Sequence, residues 1–191
     1  MANNLFELDT YLIRRKVLKI FGGSFHTYDG DQVVAFTKQK AFKLKEDIRI
    51  YSDESMQTEL LSIQARQVID FAAAYDIVDV ENGVKVGAAR RKGFSSIVRD
   101  SWMLLDAQNQ PIAQLQEDST ILALMRRLLS NLIPQRFNLR AQGETKPVVF
   151  RQHFNPFVYR LQVSIPRECG LDRRLIFGIA ALIAAIEGRQ K

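Results

Sequence analysis

The feature that most constrains the fold is an apolar run near the C-terminus, from Leu175 to Ile186. A bilayer span needs about 20 apolar residues and this run has about a dozen, so we interpret it as a buried core helix. A membrane-inserted tail is the alternative. Asp172 can cap the helix, which predicts a helix over residues 172–187. Because the run is apolar on every side, the helix must be enclosed on all sides to be stable in water.

The rest of the sequence reads mainly as short strands. Apolar and polar residues alternate with a period of two, as in Arg160–Ile165, Asp47–Tyr51 and Val84–Ala89. This alternation is typical of strands with one buried and one wet face. Segments rich in Gly, Asn, Asp and Pro separate the runs, and their spacing predicts about ten to twelve strands.

Many strands and one enclosed helix fit together in a wide barrel. The predicted fold is mainly β (α+β): a closed antiparallel β-barrel of about 12 strands around a central apolar C-terminal helix. We expect a single domain over residues 1–191. One further helix is predicted near 119–132, where Ile121, Leu124 and Leu128 share a face. This helix is expected to cover part of the sheet; a helix on a membrane surface is the alternative.

A weak repeat of about fifty residues accompanies this pattern. Tyr28-Asp29 leads into an apolar segment and then a basic one, and Val78-Asp79 begins a similar series. Duplicated β-meander units are a natural way to build a barrel.

Charge and cysteine content narrow the classes of partner. The chain has 27 Lys and Arg against 21 Asp and Glu, a net charge of +6. This excess favours anionic partners, although it can also serve solubility alone. The single cysteine, Cys169, excludes an internal disulfide and fits a reducing compartment. Aromatic residues do not follow the basic ones in a stacking pattern, so no nucleic acid is expected.

Basic clusters are the only candidates for a binding site. Alternation along a strand places Arg90 and Lys92 on one face, and Lys43 and Lys45 likewise. On neighbouring strands they would form a phosphate-binding patch; scattered solvated charge is the alternative. The predicted headgroup-binding residues are Lys38, Lys40, Lys43, Lys45, Arg90, Arg91 and Lys92. A third basic cluster is Arg14, Arg15 and Lys16.

No catalytic or metal-binding pattern is present in the sequence. Nucleophile-elbow, phosphate-loop, dinucleotide and zinc-protease motifs are absent. His26 and His153 lie far apart, without metal-ligand spacing. Cys169 precedes the apolar helix and is interpreted as a packed thiol. We therefore expect neither an enzyme nor a cofactor.

Four stretches of the sequence resemble the LURP-one-related family, within the tubby C-terminal-like group that also contains phospholipid scramblases. They are Tyr11–Lys16, Asp79–Lys92, Asp100–Asp106 and the closing apolar helix. The resemblance implies a barrel of about twelve strands around a central helix. It also implies two activities: tubby proteins bind membrane phosphoinositides through basic barrel residues, and scramblases move phospholipids under calcium.

A calcium-driven scramblase is disfavoured. Scramblases carry an acidic calcium segment before the terminal helix, whereas the corresponding stretch here, Asn155–Gly170, offers only Glu168 as a carboxylate. Calcium takes six to eight oxygen ligands. The cysteine cluster that scramblases use for acylation is also absent.

The sequence therefore predicts a non-enzymatic tubby-like barrel that binds anionic phospholipid headgroups at a membrane surface. The alternatives are a scramblase-related lipid-handling protein and a small-ligand carrier with a pocket at a barrel mouth. The N-terminus shows no secretory signal, and Ala2 stands where myristoylation needs glycine. With no transmembrane span, we expect a cytoplasmic protein, peripheral at the inner membrane surface. The ligand and oligomeric state stay open.

Overall fold

A computed structural model describes residues 4–16, 23–40, 47–66, 74–91, 101–118, 134–155 and 157–187. A short 3₁₀ helix, Asn4–Glu7, precedes the strands, and one α-helix, α1 (Arg173–Glu187), follows them. The strands are β1 (Thr10–Arg15), β2 (Ser24–Asp29), β3 (Gln32–Gln39), β4 (Asp47–Tyr51), β5 (Glu59–Ala65), β6 (Ala74–Asp79), β7 (Val84–Arg91), β8 (Ser101–Leu105), β9 (Pro111–Glu117), β10 (Arg136–Ala141), β11 (Val148–Gln152) and β12 (Arg160–Ser164). The helix predicted near 119–132 lies outside the described residues.

The strands form a closed antiparallel barrel, as predicted. Each strand pairs with its neighbour in sequence, and β1 closes the circle against β12. Closure gives each of the twelve described strands a hydrogen-bonded partner on both sides. The element order therefore reduces to one meander whose first and last strands meet.

Helix α1 fills the barrel lumen. Every residue from Leu175 to Ala185 is buried. The inward faces of the strands pack around it with large aliphatic side chains such as Ile13, Ile50 and Ile63. Burial of one such side chain contributes roughly 1.5–3 kcal/mol. The central helix expected from the apolar run is thus confirmed.

Local hydrogen bonds and ion pairs fix where α1 begins. The backbone N–H of Arg174 donates to Asp172 Oδ1 at 2.8 Å, so Asp172 is the predicted cap. The Arg174 guanidinium contacts Asp79 and Asp172, each at 2.6 Å. Arg173 donates to the carboxylate of Asp9 at 2.8 Å. The two arginines therefore tie the start of the helix to strand ends on opposite sides of the barrel.

Glycine allows the helix and the wall to approach closely. A Cβ atom on Gly178 of α1 would lie 2.8 Å from Ile77 Cδ1 on β6, closer than packed carbon atoms come. A Cβ on Gly87 of β7 would lie 3.1 Å from Leu175 Cδ1 on α1, and it would also clash with the backbone oxygen of Leu105 on the neighbouring strand β8. The helix thus packs against β6 and β7 at a distance that only these small residues permit.

The fifty-residue repeat has a counterpart in the pairing of the strands. The register of β2 with β3 shifts between Thr27 and Tyr28, and that of β6 with β7 shifts between Ile77 and Val78. A second shift occurs between β4 and β5 and again between β8 and β9. The four-strand units β2–β5 and β6–β9 therefore carry bulges at corresponding places, where a bulge bends a strand and increases its twist.

Steric coupling between Gly178 and Ile77 can be measured in a double-mutant cycle. Gly178→Ala gains about 1 kcal/mol of helix propensity, but overpacking costs about 1–3 kcal/mol. We expect net destabilisation in the native background. In an Ile77→Val background the loss should shrink by about 1 kcal/mol. Urea unfolding measures all four free energies. Ile13→Val, in β1 on the far side of the barrel, is the control and should be additive with Gly178→Ala. Additivity of Gly178→Ala with Ile77→Val as well would contradict this packing.

The ion pairs of Arg174 predict how stability depends on pH. Burial alone would raise the pKa of Asp79, but hydrogen bonds from Asn82 and Arg174 outweigh it and hold that pKa below its ordinary value of 3.8. The unfolded chain therefore binds protons first, so stability is present at neutral pH and is lost as pH falls through the lowered value.

Asp79→Asn should lower the free energy of unfolding at pH 7 by about 1–3 kcal/mol, since it removes a charged hydrogen bond. Between about pH 5 and pH 3 the variant should also lose stability less steeply than the native chain. Urea unfolding across this range provides the measurement. Asp31→Asn, in an exposed turn, serves as the control. Parallel pH profiles for the native chain and Asp79→Asn would contradict the role given to this ion pair.

Candidate anion-binding surface

The barrel end where α1 begins is acidic. The described segments at this end contain thirteen Asp and Glu against four Lys and Arg. They are residues 4–9, 29–32, 52–59, 79–83, 106–110, 142–147 and 165–174. The rest of the sequence therefore contains 23 of the 27 basic residues but only 8 of the 21 acidic ones. We call the barrel end where α1 begins the acidic end, and we call the end where α1 finishes the opposite end.

Four arginines form a row on the outer wall toward the opposite end. Arg136 of β10 is paired directly with Arg151 of β11, and Arg160 of β12 is paired directly with Arg14 of β1. The residues next to them in each strand, such as Phe150 and Leu161, are buried in the core, so the arginines point outward. We call Arg14, Arg136, Arg151 and Arg160 the arginine band.

Like charges directly opposite each other destabilise a sheet unless something neutralises them. Arg136 has a carboxylate, since its Nε lies 3.4 Å from Asp118 Oδ2. Within the described part of the chain, Arg14, Arg151 and Arg160 form no ion pair. The Nε atom of Arg160 is buried, and none of the described residues forms a hydrogen bond with it. Three arginines on adjacent strands thus lack a carboxylate partner among the described residues, and the exposed parts of their guanidinium groups can contact an anion.

The band has the chemistry of a phosphate site. Arginine presents planar N–H donors that match the oxygens of phosphate or carboxylate in pairs. Between the two arginine pairs, His153 Nε2 lies 2.8 Å from Gln162 Oε1, so the groups at the centre of the surface are polar. A multivalent anion fits such a surface better than a single ion does.

The two described lysines of the first predicted cluster, Lys38 and Lys40, have different partners. Lys38 points outward with Nζ 3.7 Å from Met56 Sδ. Lys40 is neutralised by Asp47, at 3.2 Å. Lys43 and Lys45 lie outside the described residues.

The second predicted cluster is divided between the two faces of β7. Arg90 is exposed on the outer face. Arg91 lies on the inner side, with its guanidinium 5.8 Å from the centre of the Trp102 ring. Lys92 lies outside the described residues. Three strands separate β3 from β7, or about 19 Å around the wall at the usual strand spacing. Lys38 and Arg90 therefore do not share one patch.

The third basic cluster contributes one member to the band. Arg14 belongs to it, whereas Lys16 is paired with Glu54 at 2.6 Å. Glu54 also contacts His26, at 2.5 Å, because the β4–β5 loop lies against the outside of β2. Hydrogen bonds from Lys16 and His26 hold the pKa of Glu54 below its usual range.

Three of the four band arginines were not predicted. Arg136, Arg151 and Arg160 are isolated in sequence, so no local run of charge marks them. The available signal was their outward position in alternating strands, as in Arg160-Leu161-Gln162-Val163. That signal does not give the strand register, which alone brings them together.

Other concave surfaces suit an anion less well. An open cleft of about 1000 Å³ at the acidic end is bordered by Asp29, Asp53, Glu59 and Glu81. A groove of about 370 Å³ crosses the outside of β8, β9 and β10. The carboxylates of the cleft would repel a phosphate, and the lumen is filled by α1. The small-ligand carrier stays a prediction without named residues.

The described residues contain no group of three or more His, Cys, Asp or Glu side chains placed to hold a metal ion. Among the same residues, α1 is the longest helix, and it is too short to cross a bilayer.

No protein-family model, curated protein or solved structure matches this chain. The resemblance to the LURP-one-related family therefore stays an expectation. The geometry itself defines a class: a closed twelve-stranded barrel around its own C-terminal helix, with an acidic end and a basic outer wall.

Proposed function

We propose that the chain is a non-enzymatic barrel that binds anionic phospholipid headgroups at a membrane surface. The observation that carries the proposal is the set of outward guanidinium groups of Arg14, Arg151 and Arg160, which form no ion pair within the described residues. An arrangement that costs stability in the free protein is explained if an anion neutralises it. The resemblance to tubby-like proteins points to the same class of ligand.

The arginine band supplies part of the attraction that a peripheral protein needs. Each Lys or Arg close to an anionic leaflet contributes about 1 kcal/mol, falling off within a Debye length. Three available arginines therefore supply about 3 kcal/mol before any other contact. The acidic end is repelled by the same surface, so the barrel is oriented with that end away from the lipid. Placement at the cytoplasmic leaflet, where anionic lipids concentrate, forms part of the proposal.

Charge removal at the two ends tests the proposal. Arg14→Gln/Arg151→Gln should weaken binding to phosphatidylserine-containing vesicles by about 2 kcal/mol, or roughly thirtyfold, since two contacting charges are lost. Lys146→Gln/Arg167→Gln is the matched control, because it removes the same charge from exposed sites at the acidic end. Vesicle sedimentation over a salt titration measures both, and thermal unfolding checks that each variant is folded.

The predicted basic clusters are tested in the same assay. Lys38→Gln/Arg90→Gln changes two outward residues of those clusters while leaving the band intact. We expect a smaller loss than for the band variant. Equal binding of the native chain to neutral and anionic vesicles at low salt would overturn the proposal, as would equal losses for the band variant and the acidic-end control.

A further inference from the structure

The connection between β11 and β12 places two phenylalanines in solvent beside the arginine band. Phe157 is 86% exposed and Phe154 is 61% exposed. Of the eight phenylalanines that the structure describes, the other six are buried or half-buried. We call Phe154 and Phe157 the aromatic tip. Burial of a phenylalanine ring is strongly favourable, so two exposed rings in one short loop indicate a surface that is covered by something apolar.

The loop that carries the tip is held by hydrogen bonds. The N–H of His153 donates to the backbone oxygen of Arg160 at 3.0 Å, which continues the β11–β12 ladder and closes the base of the loop. Asn155 Oδ1 accepts hydrogen bonds from the N–H groups of Phe157 and Val158, each at 2.9 Å. An asparagine that bonds to the backbone two residues on fixes a local turn.

Two neighbours of the tip anchor the loop to the barrel. Val158 is 8% exposed and Tyr159 is 2% exposed. The backbone oxygen of Tyr159 accepts a hydrogen bond from the N–H of Arg15 on β1, at 3.0 Å. The described residues of the loop therefore bury one pair of large side chains, Val158 and Tyr159, and present another pair, Phe154 and Phe157, outward.

The charges around the tip match a lipid surface. Arg151 and Arg160 belong to the strands that carry the loop, and Arg14 is paired directly with Arg160. Segments that combine apolar rings with arginine or lysine lie at the boundary between headgroups and acyl chains, with the cations at the phosphates and the rings below them. A water-soluble anion would engage the arginines but leave the rings exposed.

We propose that Phe154 and Phe157 insert into the acyl-chain boundary of an anionic phospholipid bilayer while the arginine band contacts the headgroup phosphates. This inference rests on the proposed lipid-binding function and adds the docking element and its orientation. The β11–β12 loop meets the membrane first, and the acidic end faces away from it. The apolar contact should also make part of the binding resistant to salt, because screening acts on the arginines and leaves the rings unaffected.

A fluorescent label tests insertion directly. In a Cys169→Ser background, Phe157→Cys is labelled with an environment-sensitive dye and mixed with phosphatidylcholine vesicles containing about one third phosphatidylserine. We expect a blue shift of the emission and quenching by lipids that carry a quencher on the acyl chain. Val84→Cys, at an exposed position near the acidic end, is the matched control and should show neither.

Removal of the rings supplies the second measurement. Phe154→Ser/Phe157→Ser should weaken vesicle binding at least roughly tenfold and should abolish the part that survives about 0.5 M salt. Val33→Ser/Val84→Ser removes two exposed apolar side chains elsewhere and should bind as the native chain does. Thermal unfolding establishes that both variants are folded.

The outcomes separate the two proposals. If the protein sediments with anionic vesicles while the label on residue 157 is unchanged, lipid binding stands and insertion of the tip is wrong; the rings would then face a different partner, such as a protein. Full binding by Phe154→Ser/Phe157→Ser would likewise contradict insertion while leaving lipid binding intact. If the native chain does not sediment with anionic vesicles at any salt concentration, the proposed function itself fails.

Discussion

The enclosure of α1 is the constraint on which the rest of the structure depends. Its apolar surface faces in every direction, so a single sheet or one partner helix would leave part of it in water. Only a wall that surrounds the helix removes all of that surface from solvent, and a closed meander does so without leaving an unpaired strand. The glycines at 87 and 178 show how tightly the wall and the helix are matched where β6 and β7 approach.

The filling of the lumen by α1 limits where a ligand can be bound. Many wide barrels keep a lumen for a ligand, whereas here the residues from Leu175 to Ala185 occupy it. The proposed binding surface therefore lies on the outer wall and the loops. The two ends of the barrel differ in charge, because carboxylates concentrate around the start of the helix and arginines line the wall toward the other end.

Sequence patterns predicted the barrel and its central helix more completely than they predicted the arginine band and the aromatic tip. The all-round apolar helix, its cap at Asp172 and the alternating strands were sufficient to predict a closed barrel, because each follows from local periodicity. The arginine band depends on register: Arg14 and Arg160 become neighbours only when the first and last strands pair. The aromatic tip was missed for a related reason, since the sequence around Phe157 does not show which apolar residues of a loop turn inward.

The pairing of β1 with β12 determines when the arginine band forms during folding. The strand that carries Arg14 can pair with β2 early, but its other side has to wait for β12, the twelfth strand of the barrel. Contacts between such distant segments form late in folding and carry a large loop-closure cost. A truncated or partly folded chain thus displays scattered arginines but no continuous band. The proposed lipid-binding surface and the seam of the barrel coincide, so on this proposal recognition is restricted to molecules whose circle of strands is complete.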